Sequence, residues 1–72
     1  MTAPTAPAEE LSDREITVLV LVADGCTSRQ IGKILHLDRT TITKTLTHIF
    51  EVLDANSREN AVFLALQQGI IP

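Results

Sequence analysis

The chain is 72 residues long, with 44% hydrophobic residues, 3% aromatics and a formal net charge of −3. That length allows one small domain, and a chain this short buries only about 60% of the surface its unfolded form exposes, so self-association would steady it. No apolar run approaches the ~20 residues needed to span a bilayer, the single Cys26 excludes an internal disulfide, and with no signal-peptide pattern the cytoplasm is the expected location.

Aliphatic residues with so few aromatics predict an all-α fold. Residues 1–10, opening MTAPTAPA, carry two prolines and no large apolar residue after the methionine. They are expected to form a disordered tail, leaving residues 11–72 as the domain. Helix 1 is predicted to start after Ser12, which forms a capping box with Glu15, while Leu11 staples against Ile16. It runs to about Asp24 and stops at Gly25, expected to be a left-handed cap. The stretch Ile16 to Val22 is apolar almost all round, more than one buried stripe needs. Part of it therefore faces a partner, lies under another element or sits on a lightly exposed surface.

Thr27 stands three residues before Gln30, which predicts a second capping box and a helix beginning after Thr27. Ile31, Ile34 and Leu35 give this short helix its apolar face and leave Arg29 and Lys33 outside. Gly32 is expected to let helices 2 and 3 approach closely. His36, Leu37 and Asp38 break the period, with Leu37 expected to be buried in the turn. Asp38 caps a longer helix, about Arg39 to Leu53, whose apolar face holds Ile42, Leu46, Ile49, Phe50 and Leu53. Its outer face holds Thr40, Thr43, Lys44, Thr47, His48 and Glu51. Two helices joined by a tight turn, the second with a polar outer face, are the arrangement that lays a recognition helix in the DNA major groove.

Charge supports that reading more than the total suggests. Residues 1–24 carry a net −4, residues 25–50 a net +3 and residues 51–72 a net −2. The surplus of cations is confined to the two central helices, as an electrostatic footprint for DNA requires. Arg29, Lys33 and Arg39 are placed to hold phosphates, and Thr40, Thr43, Lys44 and Thr47 to face the groove. Five threonines in the eight positions 40–47 cost helix propensity, so packing or function holds them there.

Ser57 is the expected cap of a last helix that Gly69 closes, with Ile70 and Ile71 packing back. Arg58 is expected to pair with a carboxylate such as Glu15 or with backbone carbonyls at a helix end. The segment Ala61 to Leu66 is apolar on every side, so Phe63, Leu64 or Gln67 is left for a partner, most simply a second copy across a two-fold axis. Nothing asks for a cofactor or a metal: His36 and His48 lie twelve positions apart without a nearby thiol or second imidazole. Cys26 has no catalytic partner close in sequence and reads as a packed thiol. Neither a nucleophile–base pair nor a phosphate-cradling glycine loop is present, so no enzyme is expected.

The chain resembles the LuxR/NarL/GerE-type helix-turn-helix domain. The residues that carry the likeness are Leu11-Ser12, Arg14-Glu15, Val18-Leu19, Leu21-Val22-Ala23, Gly25, Thr27 to Gly32, Ile34-Leu35, Leu37, Thr41-Ile42, Leu46, Ile49, Leu53, Arg58, Ala61-Val62, Ala65 and Gly69-Ile70-Ile71. Sigma-factor region 4 resembles the first two-thirds equally well, but Leu53, Arg58, Ala61-Val62 and Gly69-Ile70 favour the LuxR type. The resemblance implies a four-helix domain whose third helix enters the major groove and whose fourth pairs with its twin in a homodimer.

The chain departs from the pattern at Thr43, Thr45 and Val52, where Lys, His and Lys are usual, and at Asp54, where Gly is common. Two readings follow. One is a homodimeric, sequence-specific transcription regulator, either stand-alone or a fragment of a larger one. The other is a helix-turn-helix scaffold used as a protein-interaction module through apolar surface on helix 1 or helix 4, with a sigma factor, polymerase or another regulator as partner.

Overall fold

A computed structural model describes residues 10–72; the expected tail lies outside the described residues except for Glu10, which is exposed. Four helices follow one another: α1 (Asp13–Ala23), α2 (Ser28–Leu35), α3 (Arg39–Leu53) and α4 (Arg58–Gln67). Each begins where a side chain can satisfy an orphaned backbone donor. The Glu15 N–H donates to Ser12 Oγ and the Ser12 N–H to Glu15 Oε1, closing the first capping box. Thr27 and Gln30 close the second in the same way. Asp38 Oδ1 accepts the Thr41 N–H at 2.9 Å and Ser57 Oγ the Asn60 N–H at 3.0 Å.

The helix ends are less uniform. Gly25 and Gly69 are left-handed, with φ of 89° and 73°, as expected. His36 and Asp54 are left-handed too, at 58° and 55°, and neither is glycine. Short polar side chains tolerate this region better than apolar ones. The Asp at position 54, where the resemblance makes glycine common, therefore sits at a backbone that glycine would adopt without strain.

The core draws on every helix, and its largest fully buried side chains are Val18, Leu19, Ile31, Ile42 and Ile49. The α1 helix packs against each of the others, α2 and α4 both pack on α3, and the ends are drawn in by buried Leu11 and Ile71. The α4 helix buries its alanines Ala61 and Ala65, small residues that bring its backbone close to its neighbours. Of the apolar excess on α1, Val18, Leu19 and Val22 are buried and Ile16, Val20 and Leu21 pack partly buried against the core. Helix 1 thus lies largely under other elements, and none of its apolar residues is among the exposed large hydrophobics. The exposed large hydrophobics among the described residues are Ile34, Phe63 and Leu66.

Ile34 corrects the expected apolar face of α2. It is 53% exposed, because the contact centre of α2 lies between Ile31 and Leu35. At 100° per residue, Ile34 is turned well to the side of that line. Leu37 is half-buried against the core rather than fully buried. Gly32 does sit at a close approach, chiefly to the turn: a Cβ there would stand 2.8 Å from the Leu37 carbonyl oxygen and 3.7 Å from Ile42 Cγ1.

Two polar ties join distant parts of the chain. Arg58 donates from Nη1 to the Cys26 carbonyl at 3.3 Å and from Nη2 to Ser28 Oγ, so it holds the turn before α2. Glu15 is not its partner. That carboxylate instead engages His48 Nδ1 on α3 through Oε2 while Oε1 serves the capping box. Burial pushes the Glu15 carboxyl up, but the hydrogen bond from the Ser12 N–H and the contacts with His48 outweigh it, leaving the group below its ordinary value. Among the described residues, no helix is long and apolar enough to cross a membrane.

Two outcomes follow from these contacts. Gly32→Ala is expected to lower stability by about 1–3 kcal/mol by forcing the turn carbonyl away, even though alanine is favoured by about 1 kcal/mol in a helix interior. A lowered urea midpoint checks this, and an unchanged one removes the close-approach argument. Glu15→Gln keeps an amide that can close the capping box but removes the charge facing His48. Because His48 is 48% exposed, the loss at neutral pH should stay below about 1 kcal/mol. As pH falls below 4.5, the ordinary value, the unfolded chain takes up the Glu15 proton before the folded one. The advantage of Glu15 over Gln is therefore full at neutral pH and disappears as the pH passes down through the lowered folded value. Urea midpoints of both proteins along an acid series would show the gap closing; a gap independent of pH would contradict the assignment.

Candidate nucleic-acid interface

The turn between α2 and α3 gathers three cations from separate places in the chain. Arg29 and Lys33 lie one helical turn apart on the outer side of α2, and Arg39 opens α3 immediately after its cap. Together with Thr27, Ser28, Gly32, Leu37 and Ile42 they line one open cleft of about 700 Å³. All three are exposed. Gly32 forms part of the wall, so the backbone packing that sets the turn also brings α2 cations beside an α3 cation.

Along α3, Thr40, Thr43, Lys44 and Thr47 are all exposed. Their spacing of three, four and seven positions places them on one stripe of the helix, opposite Ile42, Leu46, Ile49 and Leu53, which are buried. Every candidate contact residue read from the sequence is therefore on the surface of the α2–turn–α3 unit. The cations of α2 and the start of α3 share the cleft, while Lys44 lies farther along the stripe.

The acid at the turn is already committed, while the other acid of the unit, Glu51, is exposed near the far end of α3. Asp38 is held below the usual carboxylate range by hydrogen bonding from the Thr41 hydroxyl, then from the Thr41 N–H, with the charge of Lys44 adding to it. Its charge closes the positive end of the α3 dipole. His48 is also exposed but is engaged by Glu15, which sets it to work between α1 and α3. The sequence carries no signal for that pairing, because the partners are 33 residues apart.

The threonines differ from one another in where their hydroxyls go. Thr45, half-buried, donates to the Thr41 carbonyl at 2.8 Å, and Thr47 donates to the Thr43 carbonyl at 2.9 Å. Such back-bonding to the preceding turn is how a hydroxyl is accommodated inside a helix.

A second exposed feature lies on α4. Phe63 is 59% and Leu66 49% exposed, and Gln67 is exposed beside them, whereas Leu64 is half-buried and packs on the core. Of the three residues expected to be left over, Phe63 and Gln67 are, Leu64 largely is not, and Leu66 belongs with them. Periodicity alone hid this, since the segment is apolar all round. Cys26 is a free, half-buried thiol packed against the core.

Comparison with known proteins places these features in a family. The family described as bacterial regulatory proteins, luxR family, matches residues 9–65. The chain is 39% identical over 62 residues to the transcriptional regulatory protein YdfI of Bacillus subtilis, covering 86% of this chain and 29% of the relative. It is 37% identical over 71 residues to ComA of the same organism, covering 96% and 33%. With the HTH-type transcriptional regulator AlkS of Pseudomonas putida the identity is 33% over 61 residues, covering 85% and 7%. The chain thus spans a third or less of the length of these relatives.

Proposed function

This chain belongs to the luxR family of bacterial regulatory proteins, and we propose that it binds double-stranded DNA sequence-specifically, as a homodimer, in the control of transcription. The observation that carries this reading is the gathering of Arg29, Lys33 and Arg39 around one cleft beside the exposed stripe of α3, in a chain whose net charge is −3. Arg29, Lys33 and Arg39 hold backbone phosphates on either side of the groove. Thr40, Thr43, Lys44 and Thr47 face the base edges. Phosphate contacts fix register and the groove contacts supply selectivity.

With so few cations per subunit, a monomer holds DNA weakly, and two copies double the contacts. The α4 strip of Phe63, Leu66 and Gln67, with Leu64 at its inner edge, is the surface we assign to the second copy. A two-fold interface there presents two α3 helices to half-sites about 34 Å apart. The missing lysines at Thr43 and Val52, the missing histidine at Thr45 and the exposed Ile34 are what favours the alternative, a protein-interaction module.

Fluorescence anisotropy of a mixed-sequence duplex decides between them. Affinity is expected to fall by about 10³-fold or more between about 50 and about 200 mM salt, as six to eight phosphate contacts in a dimer require. Arg29→Ala or Lys33→Ala should reduce the salt slope by about one per subunit. Absence of binding at low salt, with the helical circular dichroism signal intact, would move the function to the interaction module. For the dimer, Phe63→Glu should leave the fold intact, convert the species seen by light scattering in the micromolar range to monomer and weaken binding to a two-half-site duplex. A parent chain already monomeric over that range would overturn the two-fold reading.

A further inference from the structure

Thr47 lies on the exposed stripe of α3, yet its hydroxyl is turned back onto its own helix. Oγ1 donates to the Thr43 carbonyl at 2.9 Å, and a hydroxyl has one hydrogen to give. That hydrogen is spent. Phosphate oxygens, guanine O6 and N7, and thymine O4 are all acceptors, so this hydroxyl has nothing to offer them while the back-bond stands. A β-branched side chain also has few rotamers in a helix. Fixing the hydroxyl against the backbone therefore fixes the methyl group as well, which is the apolar remainder of a side chain exposed on the stripe. Thr45 makes the same bond to the Thr41 carbonyl, but it is half-buried and offers no such surface.

In the major groove the base edges are polar except at one place, the C5-methyl group of thymine. Cytosine methylated at C5 carries the same group in the same position. We infer that Thr47 reads the C5-methyl group of a pyrimidine through its own methyl, as an apolar contact and not as a hydrogen bond donated by its hydroxyl, whose oxygen keeps only the capacity to accept. The inference rests on the DNA-binding reading above and adds the chemistry by which one residue of that surface selects its base. Neighbouring Lys44 offers the complementary kind of contact, a cation for the guanine acceptors.

The test uses the full chain and a duplex enriched by it from a random pool. Each thymine of the enriched site is replaced in turn by deoxyuridine, which removes only the C5-methyl. One thymine in each half-site should respond, with binding weakened about fourfold per half-site, the ratio expected for burial of one methyl. At that position 5-methylcytosine paired with guanine should bind more tightly than cytosine by a similar factor. Thr47→Val keeps a methyl and loses the hydroxyl, so it should retain the thymine-over-uracil preference. Thr47→Ser keeps the hydroxyl and loses the methyl, so it should abolish that preference with the circular dichroism spectrum unchanged. Equal binding of thymine and uracil at every position overturns the inference alone. So does a preference that survives in the serine variant and is lost in the valine variant. A folded chain that enriches no duplex overturns the DNA-binding reading and this inference with it.

Discussion

The placement of α3 against α2 depends on a contact that has no side chain on one side. The Leu37 carbonyl oxygen occupies the space beside Gly32, 2.8 Å from where a Cβ would stand, and the Leu37 N–H returns to the Gly32 carbonyl at 2.9 Å. The turn is thus laid directly on the backbone of α2. Because α3 begins two residues after Leu37, its first cation, Arg39, is delivered to the cleft that already holds Arg29 and Lys33. A wider turn would separate the cations of α2 from the exposed stripe of α3. The relation between the two is a matter of backbone packing before any charged side chain is considered.

Around that unit the polar groups are arranged so that few are idle. Glu15 completes a capping box with one oxygen and holds α3 with the other. Arg58 reaches from the start of α4 to the turn that precedes α2. Asp38 answers the first turn of α3. These ties lie at the periphery, and no polar or charged residue is buried among the described residues. The aliphatic core supplies cohesion, while the peripheral bonds choose among the ways in which smooth apolar helices could slide past one another. In a domain with so little core, single peripheral contacts of about 1 kcal/mol are a noticeable share of the total.

What could be read from the sequence follows the range of the interactions involved. Ser12 with Glu15, Thr27 with Gln30, Asp38 and Ser57 act within three residues of themselves, and each marks a helix start where the structure has one. The stripe of α3 was legible because a 15-residue helix gives periodicity room to separate two faces. In α2, only eight residues long, the same reasoning placed Ile34 on the wrong side. In α4, apolar all round, it named Leu64 where the exposed leucine is Leu66. The left-handed residues His36 and Asp54 carry no glycine to announce them. The Glu15–His48 and Arg58–Ser28 contacts join residues 33 and 30 positions apart, so only the packed helices bring them together. The candidate cations were legible one by one, but their convergence needed the geometry of the turn.

The separation of charge by element also bears on how such a molecule would search for its target. Its positive side chains stand mainly on two consecutive helices, while the acids are carried chiefly by the segments before and after them. An approaching polyanion therefore meets attraction on one face of the α2–turn–α3 unit and repulsion from much of the rest. Such a molecule is turned while still in solution, so that more of its collisions are productive. The overall acidity also resists indiscriminate adhesion. An acidic domain gives up binding strength per collision, and gains in exchange a dependence on the face it presents.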